Sequence, residues 1–140
     1  MTDPILLTVD QGLARITLNR PERLNAFDAD MGRAWARVTD EVVSRDDVQA
    51  VLLEGAGPAF CAGGDVRAMV ELGSGPALTE LAGVINRGIL ALTESELPVA
   101  VAAHGAVVGG GLGIMLVGDY AVVGESSKVG SRYANVGLTP

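Results

Sequence analysis

Cysteine, histidine and aromatic side chains are scarce in this chain of 140 residues. Cys61 is the single cysteine, so no internal disulfide can form, which fits a reducing, cytoplasmic setting. His104 is the single histidine. No Ser, Cys or Asp stands in motif spacing with it, so a structural role is favoured over a nucleophilic triad. No His/Cys/Asp cluster has metal-ligand spacing, and no metal is expected; Asp119 is expected to pair or to cap. Aromatics make up only 4% of the residues, too few for an aromatic core. Basic residues are outnumbered 10 to 17, for a net charge of −7. With no stretch interleaving basic and aromatic residues, that balance excludes a nucleic-acid partner. Met1–Asp10 has neither a basic start nor a long apolar run, and no signal peptide is read there.

What the chain has instead is aliphatic bulk and glycine. Hydrophobic residues reach 49%, charged residues 19%, and there are 19 glycines. This composition describes one compact domain with tight turns and close backbone approaches. Val99–Gly118 carries His104 as its one ionisable residue and is long enough to cross a bilayer. Its glycines and central histidine read better as a buried strand, a glycine loop and a buried helix, with no membrane involvement.

Ile5–Asp10 and Leu13–Leu18 read as a hairpin about Gln11-Gly12. Pro21 closes off any continuation of a central strand in the polar loop that follows. A helix is predicted from about Asp28 to Ser44, capped by Asp28 or Asp30, with Met31, Trp35, Val38 and Val42 on its buried face. Ala50–Leu53 is a short buried strand. Helices are predicted over 65–72 and 77–92, separated by a Gly73-Ser74-Gly75-Pro76 break. Val99–Ala103 is a strand, His104–Gly109 a loop, and 110–117 a helix. Tyr120–Val123 and Lys128–Gly130 are further short strands. The order β-β-α-β-α-α-β-α-β-β defines an α/β fold.

Two glycine segments each join a strand to a helix. Phe60-Cys61-Ala62-Gly63-Gly64-Asp65 is either an ordinary turn with Asp65 as N-cap or a backbone N–H donor for a developing oxyanion. In His104-Gly105-Ala106-Val107-Val108-Gly109-Gly110-Gly111 the choice is between close helix–sheet packing and a second such donor. The latter segment fits neither a dinucleotide-binding register nor a P-loop. Two donors converging on one point would make an oxyanion hole.

Five pieces in order carry a resemblance. They are Leu18–Ala26 (LNRPERLNA), Phe60–Val66 (FCAGGDV), His104-Gly105 with Gly109-Gly110-Gly111, Asp119-Tyr120, and Val136–Pro140 (VGLTP). Through them the sequence resembles the enoyl-CoA hydratase/isomerase, or crotonase, superfamily over residues 1–140. The resemblance implies a spiral of β-β-α units and a coenzyme A thioester as substrate, with no separate cofactor. It implies that the thioester carbonyl lies between the N–H groups of Gly64 and Gly110. It places the nucleotide end of coenzyme A on Arg20, Glu22, Arg23 and Leu24 and on Ala62, Gly63, Gly64, Asp65, Val66 and Arg67. Many members have lysine where Glu22 stands, so the phosphate contact passes to Arg23 or Arg67.

The departures from the family pattern bear on activity. Hydratases of the family use two glutamates. By motif position these fall on Gly113 and Tyr133, neither of which can serve as a carboxylate base. Tyr133 is expected in the core, in an interface or as a hydrogen-bond donor in the pocket. Isomerase-like members instead use one carboxylate; in one subgroup it follows the closing Leu-x-Pro element, which here would be position 141. The chain is therefore expected to be truncated before the C-terminal helical region. A full-length form is expected to be a homotrimer or hexamer by family analogy. The alternatives are a non-catalytic acyl-CoA-binding or assembly module and an inactive fragment of a hydratase homologue.

Overall fold

The computed structural model describes residues 2–73 and 75–137. Strands β1 (Ile5–Asp10) and β2 (Leu13–Leu18) form the expected antiparallel hairpin, with Gln11 and Gly12 at positive φ. Beyond it, β3 (Ala50–Gly55), β4 (Val99–Ala103) and β6 (Tyr120–Val123) add in parallel, giving a five-stranded sheet of order β1-β2-β3-β4-β6. A second, two-stranded parallel sheet pairs β5 (Ala106–Val108) with β7 (Lys128–Gly130).

The chain winds as a spiral. Each turn runs up a strand of the large sheet, crosses a short parallel bridge or strand, and returns through a helix. β2 leads to Phe27, which bridges Gly64, and then to helix α1 (Ala29–Val43). β3 leads to Cys61, which bridges Val107, and then to α2 (Val66–Leu72) and α3 (Gly75–Thr93). β4 leads through β5 to α4 (Gly110–Met115), and β6 through β7 to a short 3-10 turn, Tyr133–Val136. Consecutive turns thus stack against one another through these parallel bridges, although no residue repeat in the sequence announces it.

Asp28 caps α1, its side chain accepting from the Met31 N–H at 2.9 Å. Met31, Trp35, Val38 and Val42 are all buried, and roughly 1.5–3 kcal/mol of burial accompanies each aliphatic member of the stripe. The α1–α3 contact is keyed by Trp35, whose Nε1 donates to the Ile85 carbonyl at 2.9 Å. The indole fills the space over Gly88, where an added Cβ would lie 2.2 Å from Nε1. Inward-facing Ala14, Ile16, Leu18, Val51, Leu53, Val99 and Val101 complete the core from the sheet side.

Three expectations need correction. The predicted loop His104–Gly109 contains strand β5, because Val107 is buried and its neighbours pair with Cys61 and β7. Helix α3 starts at Gly75 rather than at 77. Pro76 does not break it, because a proline in the first turn lacks only an N–H that would have no helical partner. The last helix ends at Met115, two residues before the predicted 117. The break itself is made at Gly73, which caps α2 at φ 64°; Ser74 lies outside the described residues. Val99–Gly118 is divided among β4, β5 and α4, and among the described residues no helix is long and apolar enough to cross a membrane.

Candidate active site

A cavity of about 920 Å³ lies between the two glycine segments, helices α2 and α3, and the 131–136 segment. Its walls are mostly apolar, with Val66, Met69, Leu78, Leu81, Ile85 and Ile89 on one side and Val108 and Val136 on the other. Arg132 is the one charged residue in the lining; no carboxylate among the described residues contributes to it.

Gly64 and Gly110 both line this cavity. The Gly63 carbonyl accepts from the Phe27 N–H at 2.7 Å. The peptide is planar and trans, so the Gly64 N–H points the opposite way, away from Phe27. Gly110 opens α4, where the first N–H has no helical acceptor. Among the described residues neither N–H has a protein acceptor. The two segments touch: a Cβ on Gly63 would lie 3.4 Å from the Gly110 nitrogen and 2.7 Å from the Val108 oxygen. With φ at 95° as well, position 63 requires glycine. Such a pair of unpaired donors in an apolar cavity can stabilise a negative oxygen.

Gly113 lines the same cavity, and a Cβ there would meet nothing within 4 Å. Tyr133 also lines it, half-buried, with its Cε1 3.8 Å from a Cβ built on Gly109. The structure thus brings Ala62, Gly63, Gly64, Val66, Gly110, Gly113 and Tyr133 to one cavity.

The remaining candidates lie behind or beside it. Arg23 donates to Asp65 through Nε (3.1 Å, Oδ2) and through Nη2 (2.9 Å to each oxygen). Arg20 Nη2 lies 2.9 Å from Asp28 Oδ2 and 3.6 Å from Asp65 Oδ2, while its Nη1 donates to the Ala26 carbonyl. Asp65 also caps α2, accepting from the Arg67 and Ala68 N–H groups. Burial pushes its carboxyl upward, but the Arg23 hydrogen bond, the Ala68 N–H and the nearby arginine charges outweigh this and hold it below the usual aspartate range. Glu22 and Leu24 are exposed, and the Leu24 carbonyl accepts from the Ala62 N–H at 3.0 Å. Arg67 is exposed and makes no ion pair among the described residues. Leu138, Thr139 and Pro140, part of the closing motif, lie outside the described residues.

Asn25 stands in the sequence only as part of the Leu18–Ala26 motif, and its structural role was not read there. It is fully buried at φ 55°, its Nδ2 donating to the Ala56 and Ala59 carbonyls and its Oδ1 accepting from the Arg20 N–H. An asparagine between a polar loop and a buried alanine was the available signal, since Asn is enriched at positive φ. Cys61 is buried behind the first glycine segment. It donates to the Asn25 carbonyl, accepts from the Gly63 N–H, and burial pushes its thiol up to about 12. His104 touches the Gly57 carbonyl through Nε2 at 2.7 Å, outside the cavity. Asp119 does pair: its Oδ2 accepts from the Val99 N–H at 2.7 Å.

The enoyl-CoA hydratase/isomerase family model matches residues 13–140, and the chain belongs to that family. It is 36% identical over 138 residues to a probable enoyl-CoA hydratase of Mycobacterium tuberculosis, covering 99% of this chain and 54% of the relative. It is 34% identical to the 1,2-epoxyphenylacetyl-CoA isomerase of Escherichia coli, covering 100% of this chain and 55% of the relative. Among solved structures, an enoyl-CoA hydratase of Mycobacterium smegmatis superposes with a TM-score of 0.91 at 29% identity, covering 96% of this chain and 53% of the other. The fold is the crotonase fold, and the chain spans about half the length of the relatives it matches.

Proposed function

We propose that this chain supplies the acyl-CoA-binding portion of an isomerase-type enzyme that stabilises a thioester enolate. The observation that carries the reading is the pair of unpaired backbone N–H groups, Gly64 and Gly110, on one apolar cavity that holds no described carboxylate. In this reading the thioester oxygen accepts from both groups. Removal of a proton from the α carbon then leaves the electron pair as an enolate, whose oxygen the two donors stabilise by roughly 3 kcal/mol each. Returning the proton at the γ carbon of a 3-enoyl thioester shifts the double bond to the 2-position.

A base must carry that proton, and neither Gly113 nor Tyr133 supplies the carboxylate for it. The carboxylate would come from residues after Pro140, where the family resemblance puts it at position 141. Hydration of 2-enoyl thioesters would be poor for the same reason. A soluble cytoplasmic enzyme assembled as a homotrimer or hexamer completes the proposal.

The carboxylate-free lining also favours a second reading, an acyl-CoA-binding or assembly module without turnover. Incubation of the full gene product with a 3-enoyl-CoA, following the 2-enoyl product and α-proton exchange in deuterium oxide, separates the two. Double-bond shift with exchange supports the isomerase. Binding with neither supports the module, and failure to bind any acyl-CoA overturns both.

A further inference from the structure

Gly63 and Gly64 have little conformational preference of their own, so whatever aims the Gly64 N–H must act on them from outside. Three contacts do so. The Phe27 N–H holds the Gly63 carbonyl at 2.7 Å, and the Phe27 carbonyl holds the Asp65 N–H at 2.8 Å. Beyond these, the Asp65 carboxylate, on a residue only 5% exposed, is gripped by Arg23 on both oxygens. Arg20 joins this grip to Asp28, the N-cap of α1, so the residues flanking Phe27 and the residue following Gly64 are locked to one another. The guanidinium of Arg23 commits its Nε and Nη2 donors to a near-buried carboxylate of its own chain. A phosphate would have to compete with that partner.

We propose that Arg23 and Asp65 are positioning residues for the Gly64 donor and that Arg23 is not a phosphate ligand, an inference that rests on the donor reading above. Arg67, exposed and without an ion pair among the described residues, is then the remaining cation of the three for the phosphates of coenzyme A.

The test uses the full gene product and butyryl-CoA labelled with carbon-13 at the thioester carbonyl, read by difference infrared spectroscopy at saturation. Arg23→Gln and Asp65→Asn are the variants; asparagine retains a capping oxygen for the Arg67 and Ala68 N–H groups, so α2 keeps its cap, while the charge and the acceptor that faces Arg23 are lost. In the parent protein the bound carbonyl band moves to lower frequency. Each variant is expected to lose most of that movement, and the double variant no more than either single one. Affinity for free coenzyme A should stay unchanged. Where turnover is measurable, kcat should fall about tenfold to hundredfold with little change in KM. Weakened binding of free coenzyme A by Arg23→Gln, with the bound carbonyl band intact, would make Arg23 a phosphate ligand and overturn the inference. An intact band in Asp65→Asn would overturn it as well. No band movement in the parent protein would refute the donor reading itself, before either variant is compared.

Discussion

Arg23 meets Asp65 through three N–H···O contacts of 2.9–3.1 Å, joining the loop after β2 to the first residue beyond the Gly63-Gly64 pair. The pair sets a pH dependence. Asp65 ionises at about 3.9 in an unfolded chain and at a lower value when folded. Its contribution to stability is therefore complete above that unfolded value and is lost as pH falls through the folded one. Urea melts between neutral pH and strongly acid pH should show stability falling below about pH 4. Asp65→Asn should flatten that part of the curve. An unaltered acid limb in the variant would show that other carboxylates set it.

Gly63→Ala should damage both the fold and the site. The added carbon would lie 2.7 Å from the Val108 oxygen, at a φ of 95° that alanine resists. A loss of roughly 1–3 kcal/mol in thermal or denaturant unfolding is expected. Gly64 and Gly110 should separate, so acyl-CoA should no longer show a polarised carbonyl. Wild-type stability would mean that the two segments do not press on each other as described.

Gly113→Glu tests the hydratase departure from the opposite direction. Space is open there, so the variant should fold with stability close to the parent. Combined with Tyr133→Glu, it restores carboxylates at both positions. Crotonyl-CoA hydration by the full gene product should then rise by about a hundredfold, the lower end of what general acid–base groups contribute. No gain would mean that these two positions do not face the reacting carbon.

Cys61 should be inert in the folded protein. With its thiol pushed up to about 12 and its side chain buried, almost no thiolate exists at neutral pH. Thiol-labelling reagents should modify it only at the rate of unfolding. Rapid labelling under native conditions would contradict the burial.

The fold was legible wherever one-dimensional patterns carry it. The hairpin about Gln11-Gly12 and the stripe Met31, Trp35, Val38, Val42 follow from local periodicity, and both are found as read. Strand β5 was not legible, because three residues beside glycine have too few positions to show alternation, and its partners are distant in sequence. At the site, the two strand-to-helix glycine segments stood out in the sequence, the family resemblance singled out Gly64 and Gly110 within them, and both line one cavity. The Arg23–Asp65 grip did not, since 42 residues separate its members and an arginine in a polar loop looks available for an anion. The role of Asn25 escaped for a related reason: its Nδ2 donates to the Ala56 and Ala59 carbonyls, more than thirty residues away, which only the spiral brings near.

Gly64 and Gly110 are proposed to hold an acyl thioester without the carboxylates that hydration requires. The decisive experiment offers crotonyl-CoA to the full gene product, with binding followed by calorimetry and hydration by loss of the enoyl absorbance. Saturable binding with little hydration is expected. Hydration as fast as that of the hydratase relatives would contradict it, and would place a competent base outside Gly113 and Tyr133.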